Sequence, residues 1–154
     1  MAAPAKPMNS DFEELLNIFN ADGVRYLIVG GHAVMLYTEP RYTKDLDVWI
    51  DSSPENGELV FHALRRFGAP LAGLSAKDFA EEGSFYQMGV PPARVDILMS
   101  IDGVNFGEAW QNRRQSKLGN VQAWFIGRAE LIRNKRAVGR HIDLHDAESL
   151  EKQV

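Results

Sequence analysis

The sequence of 154 residues contains no cysteine. This absence excludes structural disulfides, zinc sites built on thiolates and catalysis by a cysteine nucleophile. It also fits a protein that stays in a reducing compartment, because disulfides are rare there. We therefore expect a cytoplasmic protein.

Long apolar runs and an excess of positive charge are missing as well. No apolar stretch approaches the roughly 20 residues of a membrane-spanning helix, so we expect no membrane partner. The first residues, up to Pro7, contain no hydrophobic segment, which favours a flexible N-terminus over residues 1–9 rather than a signal peptide. The 17 basic and 21 acidic residues give a net charge of −4, which argues against broad nucleic-acid binding that ignores sequence.

What remains is the composition of a folded domain. Hydrophobic residues make up 45% and charged residues 25%, which is typical of globular proteins, and the length fits a single compact domain over residues 10–154. Periodicity and turn residues predict strands at 24–29, 43–50, 84–90, 94–101 and 121–126. They also predict helices that start at Ser10 and within Ser52-Ser53-Pro54-Glu55, and helices over 32–37, 105–114, 128–138 and 142–152. This alternation predicts an α/β (α+β) fold in which helices flank a mixed β-sheet.

Two aspartates interrupt the second predicted strand, where aspartate is normally depleted. Asp45 and Asp47 are two residues apart and therefore project from the same face of a strand. Neighbouring carboxylates repel each other unless a cation lies between them, and oxygen ligands of this kind suit Mg²⁺ or Mn²⁺. The alternative is a solvated edge strand with two exposed acids.

A glycine pair follows the first predicted strand. Gly30 and Gly31 stand between a buried strand and a short helix, and such a turn presents backbone N–H groups and a helix N-terminus to a phosphate. The pattern is neither a P-loop nor Gly-x-Gly-x-x-Gly. Because a short helix and a return strand fit between Gly31 and Asp45, the turn and the carboxylates should reach one edge of the sheet. An ordinary tight turn is the alternative.

A third acid, Asp96, lies in the apolar strand predicted at 94–101. If this strand neighbours the second one, Asp96 completes a cluster with Asp45 and Asp47. Such a cluster could hold two metal ions, one that activates an attacking hydroxyl and one that steadies a leaving pyrophosphate. The alternative is that Asp96 pairs with Arg94 or with another nearby base.

Together these residues resemble the DNA polymerase beta-like nucleotidyltransferase superfamily, and most closely its minimal and abortive-infection-type bacterial members. The resemblance rests on Gly30-Gly31, Arg41-x-Thr43-x-Asp45-x-Asp47 and Val95-Asp96-Ile97-Leu98. It implies a nucleotide-binding core in which Asp45 and Asp47 hold Mg²⁺ (or Mn²⁺), while Asp96 helps to bind a second ion and activates the acceptor hydroxyl. Gly30 and Gly31 would contact the nucleotide phosphates, and Gly31 stands where many members have serine.

Polar residues near these motifs are further candidates for nucleotide binding. Arg41 and Thr43 directly precede the carboxylates, and a guanidinium there could clamp a triphosphate; a solvated loop is the alternative. The segment 128–140 carries five bases against one acid, which indicates either a phosphate- or RNA-facing surface or a solvated helix. The resemblance favours Lys135 and Arg140 as nucleotide contacts, and we expect both side chains to be exposed.

Two roles are possible for the two histidines in the last predicted helix. His141 and His145 are four residues apart and could bind a transition metal on one helix face. No His-Glu-x-x-His motif is present, and helix capping or surface contacts are the alternative.

The sequence leads to two hypotheses from different classes. The first is a Mg²⁺-dependent nucleotidyltransferase that moves a nucleoside monophosphate from a nucleoside triphosphate to a hydroxyl of an RNA, a protein or a small molecule and releases pyrophosphate. The second is a nucleotidyltransferase-like module that binds a nucleotide or a partner protein without turnover, for example in a toxin–antitoxin pair. The spacing of the three acids favours the first.

Overall fold

A mixed sheet of six strands forms the centre of the protein, whose structure is a computed structural model that describes residues 10–43, 45–89 and 94–152. The strands are β1 (Tyr26–Val29), β2 (Leu46–Ile50), β3 (Phe85–Met88), β4 (Val95–Leu98), β5 (Arg114–Leu118) and β6 (Val121–Phe125). The helices are α1 (Ser10–Ala21), α2 (Gly30–Tyr37), α3 (Pro54–Phe67), α4 (Phe106–Gln111), α5 (Arg128–Val138) and α6 (His141–Lys152), with a 3₁₀ helix at Ala76–Ala80. The flexible N-terminus predicted for residues 1–9 lies outside the described residues.

The strands lie in the order β3-β4-β2-β1-β6-β5. At the centre, β1 runs antiparallel to β2 and parallel to β6, while β2 runs parallel to β4. The edge strands β3 and β5 pair antiparallel with β4 and β6. This single compact α+β domain confirms the predicted fold class. No helix in the described ranges is long and apolar enough to cross a membrane.

The central strands form from short apolar runs bounded by strong turn signals. All four residues of β1 are buried, and in β2 only Asp47 is not fully buried. Helix α3 begins where the Ser53 side chain accepts a hydrogen bond from the Asn56 backbone N–H, which satisfies one of the free donors at a helix start. It ends at Gly68, whose φ of 93° is left-handed, as is common for a glycine that terminates a helix.

One strand is unpredicted, and the bounds of several other elements differ from the sequence prediction. The helix predicted at 105–114 is the shorter α4, and the unpredicted strand β5 follows it. Four of the five residues of β5 are polar or charged and only Leu118 is fully buried, so the segment has no apolar periodicity. Pairing with β6 supplies its hydrogen bonds, which is a tertiary effect that local propensity does not report.

Aromatic side chains cover both faces of the sheet. The Phe19 ring of α1 lies 5.7 Å from the Tyr26 ring on one face, and the Phe106 ring of α4 lies 4.9 Å from the Trp49 ring on the other. These residues are mostly or fully buried. The core therefore fixes β1 and β2 from both sides and holds their ends rigidly in place.

Candidate functional site

The end of β1 and the starts of β2 and β4 lie side by side along one edge of the sheet, the edge formed by strand ends. Because β1 runs antiparallel to β2, the last residue of β1, Val29, pairs with Asp47 near the start of β2. Because β2 and β4 run parallel, Asp47 also pairs with Asp96. Neighbouring strands lie about 4.8 Å apart, so the register brings two carboxylates side by side. Asp45 lies two residues before Asp47 and completes the carboxylate cluster, a name we use for these three aspartates.

The glycine turn lies directly against the carboxylate cluster. Gly30 has a φ of +69°, and a Cβ atom at this position would lie 2.1 Å from the Asp47 carboxylate oxygen Oδ2. Both the left-handed backbone and this close approach require glycine. The α2 N-terminus therefore begins beside Asp47, and no side chain in the described ranges caps it.

Thr43 explains why the second residue of the turn is also glycine. A Cβ atom on Gly31 would lie 2.7 Å from the Thr43 methyl carbon. The loop before β2 thus packs against the turn and fills the space that a serine side chain would need. Thr43 itself points its hydroxyl toward the sulfur of Met35 at 3.8 Å.

The electrostatics of the carboxylate cluster favour an added cation. Burial and repulsion by the Asp96 and Asp45 carboxylates raise the pKa of Asp47 to about 7, while Lys135 partly opposes this shift. The Asp45 oxygen Oδ1 is buried and has no hydrogen-bond partner among the described residues. So high a pKa means that the surroundings do not fully compensate the negative charge of the ionised Asp47 carboxylate.

Arg94 supplies part of the missing positive charge. Its Nη2 lies 3.0 Å from Asp45 Oδ2, and its Nε lies 3.1 Å from Asp96 Oδ1. The pairing with Asp96 is the one that sequence reasoning offered as the alternative to metal binding. The bridge to Asp45 depends on the neighbouring strands and carries no local sequence signal.

The donor set of the carboxylate cluster fits a hard divalent cation. It consists of carboxylate oxygens, the ligands that Mg²⁺ and Mn²⁺ prefer, and it includes Asp45 Oδ1, which has no partner in the part of the chain that the structure describes. In the side-chain positions of this structure, Arg94 lies between two of the carboxylates. Within the described ranges, no group of three His, Cys, Asp or Glu side chains already stands in metal-binding geometry.

A second cluster of charges joins α6 to the loop before β2. Lys135 Nζ lies 3.4 Å from an oxygen of Asp143 and 3.3 Å from one of Asp146. Arg41 makes two hydrogen bonds to Asp146, at 2.7 and 3.2 Å, and the Arg140 Nε donates to Asp143 at 2.6 Å. This α6 ion cluster was not predicted, although Asp143 and Asp146 share the buried face of α6.

The cations of the α6 ion cluster lower the pKa of both carboxyl groups, those of Asp143 and Asp146. The hydrogen bond from Arg140, with help from Lys135, lowers the pKa of Asp143 against the effect of burial. Burial raises the pKa of Asp146, and Arg41 and Lys135 together outweigh it, so that the net shift is downward. Both aspartates are therefore charged at neutral pH and hold their cations firmly.

The expectation that Lys135 and Arg140 are both exposed is wrong for Lys135. The Arg140 side chain is 71% exposed, whereas Lys135 is only 8% exposed. Lys135 lies on the inner side of α5 and faces two buried carboxylates, which makes burial of its ammonium group tolerable. Its positive charge also opposes the rise in the pKa of Asp47.

The other bases of the segment 128–140 also have partners. Arg128 donates to the Leu150 carbonyl, and Arg133 and Arg136 pair with acids of neighbouring helices. The segment is therefore not an unpaired basic surface. His141 and His145 are both exposed on α6.

A cavity of about 470 Å³ lies away from the carboxylate cluster. Its lining includes Gly23, Val24 and Arg25 before β1, together with Trp110 and Trp124. These residues stand at the opposite end of β1 from the glycine turn, and none is a predicted site residue.

Comparisons with known proteins identify the fold. No protein-family model matches the sequence, and no curated protein matches it significantly. Several solved structures are similar in fold. One is the crystal structure of the lincosamide antibiotic adenylyltransferase LnuA with bound lincomycin, with a TM-score of 0.58, 16% identity and coverage of 94% of this chain and 97% of that chain.

A second similar structure is that of TM1012 from Thermotoga maritima, named as an inferred nucleotidyltransferase. Its TM-score is 0.57 at 13% identity, with coverage of 92% of this chain and 88% of that chain. Both similarities extend over nearly the whole of each chain. The protein described here therefore has the fold of these nucleotidyltransferases.

Proposed function

We propose that this protein is a metal-dependent nucleotidyltransferase, with residues 10–154 as its nucleotidyltransferase-like domain. The observation that carries the proposal is the meeting of Asp45, Asp47 and Asp96 with the uncapped start of α2, in a fold shared with two nucleotidyltransferases. Such a site provides backbone donors for phosphate beside oxygen ligands for a metal ion. The substrate is a nucleoside triphosphate, and ATP is the first to test because LnuA is named an adenylyltransferase.

The carboxylate cluster binds the metal ion, and the glycine turn binds the phosphates. Asp45 and Asp47 hold Mg²⁺ or Mn²⁺, with Asp96 as a further ligand. When bound, the metal neutralises phosphate charge and lowers the pKa of a coordinated hydroxyl. Backbone N–H groups at Gly30 and Gly31 bind the phosphates.

The residues around the turn complete the binding site. Thr43 keeps the turn in place, since it packs against Gly31. The exposed Arg140 side chain, which pairs with Asp143, is a further phosphate contact, while Arg41 and Lys135, fixed by the carboxylates of α6, add positive potential beside it. Phosphoryl transfer depends mainly on such positioning and charge neutralisation.

The transfer itself exchanges one bond to phosphorus for another. The oxygen of the acceptor hydroxyl bonds to the α-phosphorus of the triphosphate as the bond between that phosphorus and the bridging oxygen breaks. Asp96 accepts the proton of the hydroxyl, and pyrophosphate leaves. The acceptor is an RNA, a protein or a small molecule, and the experiment below identifies its class.

Labelled nucleotides test this proposal directly. We incubate the protein with Mg²⁺, a fractionated cell extract and each nucleoside triphosphate in turn, labelled at either the α- or the γ-phosphorus. We expect the α-label alone to enter one fraction, and Asp47→Asn to reduce labelling at least about a hundredfold because the metal loses a ligand charge. Asp102→Asn, at an exposed position outside the site, serves as the matched control.

Two results would overturn the proposal. Transfer of the γ-label would identify a phosphotransferase instead. Nucleotide binding without transfer of either label to any fraction would favour the non-catalytic binding module.

A further inference from the structure

Arg94 occupies the oxygens that a metal ion would need. Its Nη2 lies 3.0 Å from Asp45 Oδ2 and 3.2 Å from Asp96 Oδ2, and its Nε lies 3.1 Å from Asp96 Oδ1. One guanidinium thus bridges two of the three aspartates. A Mg²⁺ ion binds carboxylate oxygens at about 2.1 Å, so the ion and the guanidinium cannot use the same side of these oxygens together.

The bridge compensates the carboxylate cluster only in part. Arg94 brings one positive charge to three carboxylates, and its hydrogen bonds go to Asp45 and Asp96 but not to Asp47. Among the described residues, Asp45 Oδ1 stays without a hydrogen-bond partner. A divalent ion would therefore be attracted more strongly than the guanidinium that it meets.

The Arg94 side chain is partly exposed and has an alternative binding partner, the phosphate of a bound nucleotide. Its side chain is 33% exposed, whereas those of Asp45 and Asp96 are 21% and 12% exposed. It precedes β4, and the start of α2 beside Asp47 lies at the same sheet edge. A guanidinium forms paired hydrogen bonds with phosphate as readily as with carboxylate.

We propose that Arg94 is a displaceable internal cation that holds Asp45 and Asp96 in place without metal and moves onto the triphosphate when metal and nucleotide enter together. This inference rests on the proposed function. It gives Arg94 a role in coupling the two ligands. A metal ion alone must break the hydrogen bonds of Arg94 to Asp45 and Asp96, and the guanidinium then has no new partner. The nucleotide supplies such a partner, because its phosphates can accept hydrogen bonds from the guanidinium. Metal and nucleotide therefore strengthen each other's binding by the same factor.

Metal titration without turnover tests the coupling. We measure Mn²⁺ binding by calorimetry for the wild type, Arg94→Gln and Arg94→Lys, each with and without an ATP analogue whose α- and β-phosphorus atoms are joined by methylene. We expect Arg94→Gln to bind Mn²⁺ at least tenfold more tightly than the wild type without nucleotide, and to gain less from the analogue. Arg25→Gln is the control, since Arg25 pairs with Asp51 at 3.6 Å outside the cluster.

A second measurement separates displacement from simple removal of charge. The Arg94 Nε–H resonance is followed by NMR in the wild type, first alone and then with saturating Mg²⁺ and the analogue. We expect it to lose the signature of a carboxylate-bound guanidinium. An unchanged resonance would overturn the inference even if Arg94→Gln binds metal more tightly.

The outcomes also separate this inference from the proposed function. Equal Mn²⁺ affinity in the wild type and Arg94→Gln would overturn the role of Arg94 and leave the metal site intact. No Mn²⁺ binding by either protein, with or without the analogue, would overturn the proposed function together with the inference. The wild-type NMR measurement needs no variant, so it stays decisive if Arg94→Gln does not fold.

Discussion

Repulsion among the aspartates of the candidate site should cost stability, and Asp47→Asn should recover it. Without metal, burial and the neighbouring Asp96 raise the pKa of Asp47 from 3.8 to about 7. Between these two pH values the unfolded chain has released the proton while the native state keeps it. The free energy of unfolding therefore falls as the pH rises through this window, and the loss is complete above about pH 7.

The size of this loss in the free energy of unfolding follows from the pKa shift of Asp47. Each pKa unit corresponds to 1.36 kcal/mol, so the full shift sets a ceiling of about 4 kcal/mol. Because Asp47 is not fully buried, solvent screens part of this cost, and we expect about 1–3 kcal/mol. Asp47→Asn has no proton to lose, so its advantage over the wild type should appear between pH 5 and pH 8.

Urea denaturation in EDTA at pH 5 and at pH 8 measures this advantage. The difference between the proteins is the quantity to follow, because burial lowers the pKa of His32 and makes the wild type gain stability as the pH rises through the ordinary histidine value. Asp102→Asn should parallel the wild type at both pH values. An advantage of Asp47→Asn that is the same at pH 5 and pH 8 would refute the reasoning.

Three further predictions follow from the same geometry. Gly30→Ala should lower the free energy of unfolding by about 2 kcal/mol or more in urea denaturation, because it combines a left-handed φ with a Cβ placed against the Asp47 carboxylate; stability equal to the wild type would contradict this contact. Lys135→Met should lower the free energy of unfolding by about 3–5 kcal/mol in the same assay, since it leaves two buried aspartates of α6 without their shared cation. Its control is Arg136→Met, at an exposed ion pair, which should lower the free energy of unfolding by less than about 1 kcal/mol. Mg²⁺ and ATP together should raise the melting temperature more than the sum of their separate effects, and a synergy that survives in Asp47→Asn would show that the metal does not use this carboxylate.

The secondary structure was predictable wherever apolar periodicity is strong. Helix α5 has the predicted bounds of 128–138, and strands β3 and β4 lie within the strands predicted at 84–90 and 94–101. Strand β2 is shorter than predicted, because Thr43 lies in a loop that packs against Gly31 rather than in the sheet. Strand β5 escaped prediction since its polar residues become a strand only through pairing with β6.

The sequence by itself determined the residue types of the candidate site and their local placement. Alternation along a strand puts Asp45 and Asp47 on one face, and a glycine pair after a buried strand makes a turn at its end. These are local properties, since each depends on residues at most a few positions apart.

Only the tertiary structure decided which charges meet. The parallel register of β2 and β4 sets Asp96 beside Asp47, and the bridge of Arg94 to Asp45 follows from it. Arg41 reaches a partner 105 residues away, Asp146, on a helix that also buries Lys135. A charged side chain looks the same in sequence whether water or a buried carboxylate surrounds it, and the free energy of desolvation that separates the two cases depends on packing from distant parts of the chain.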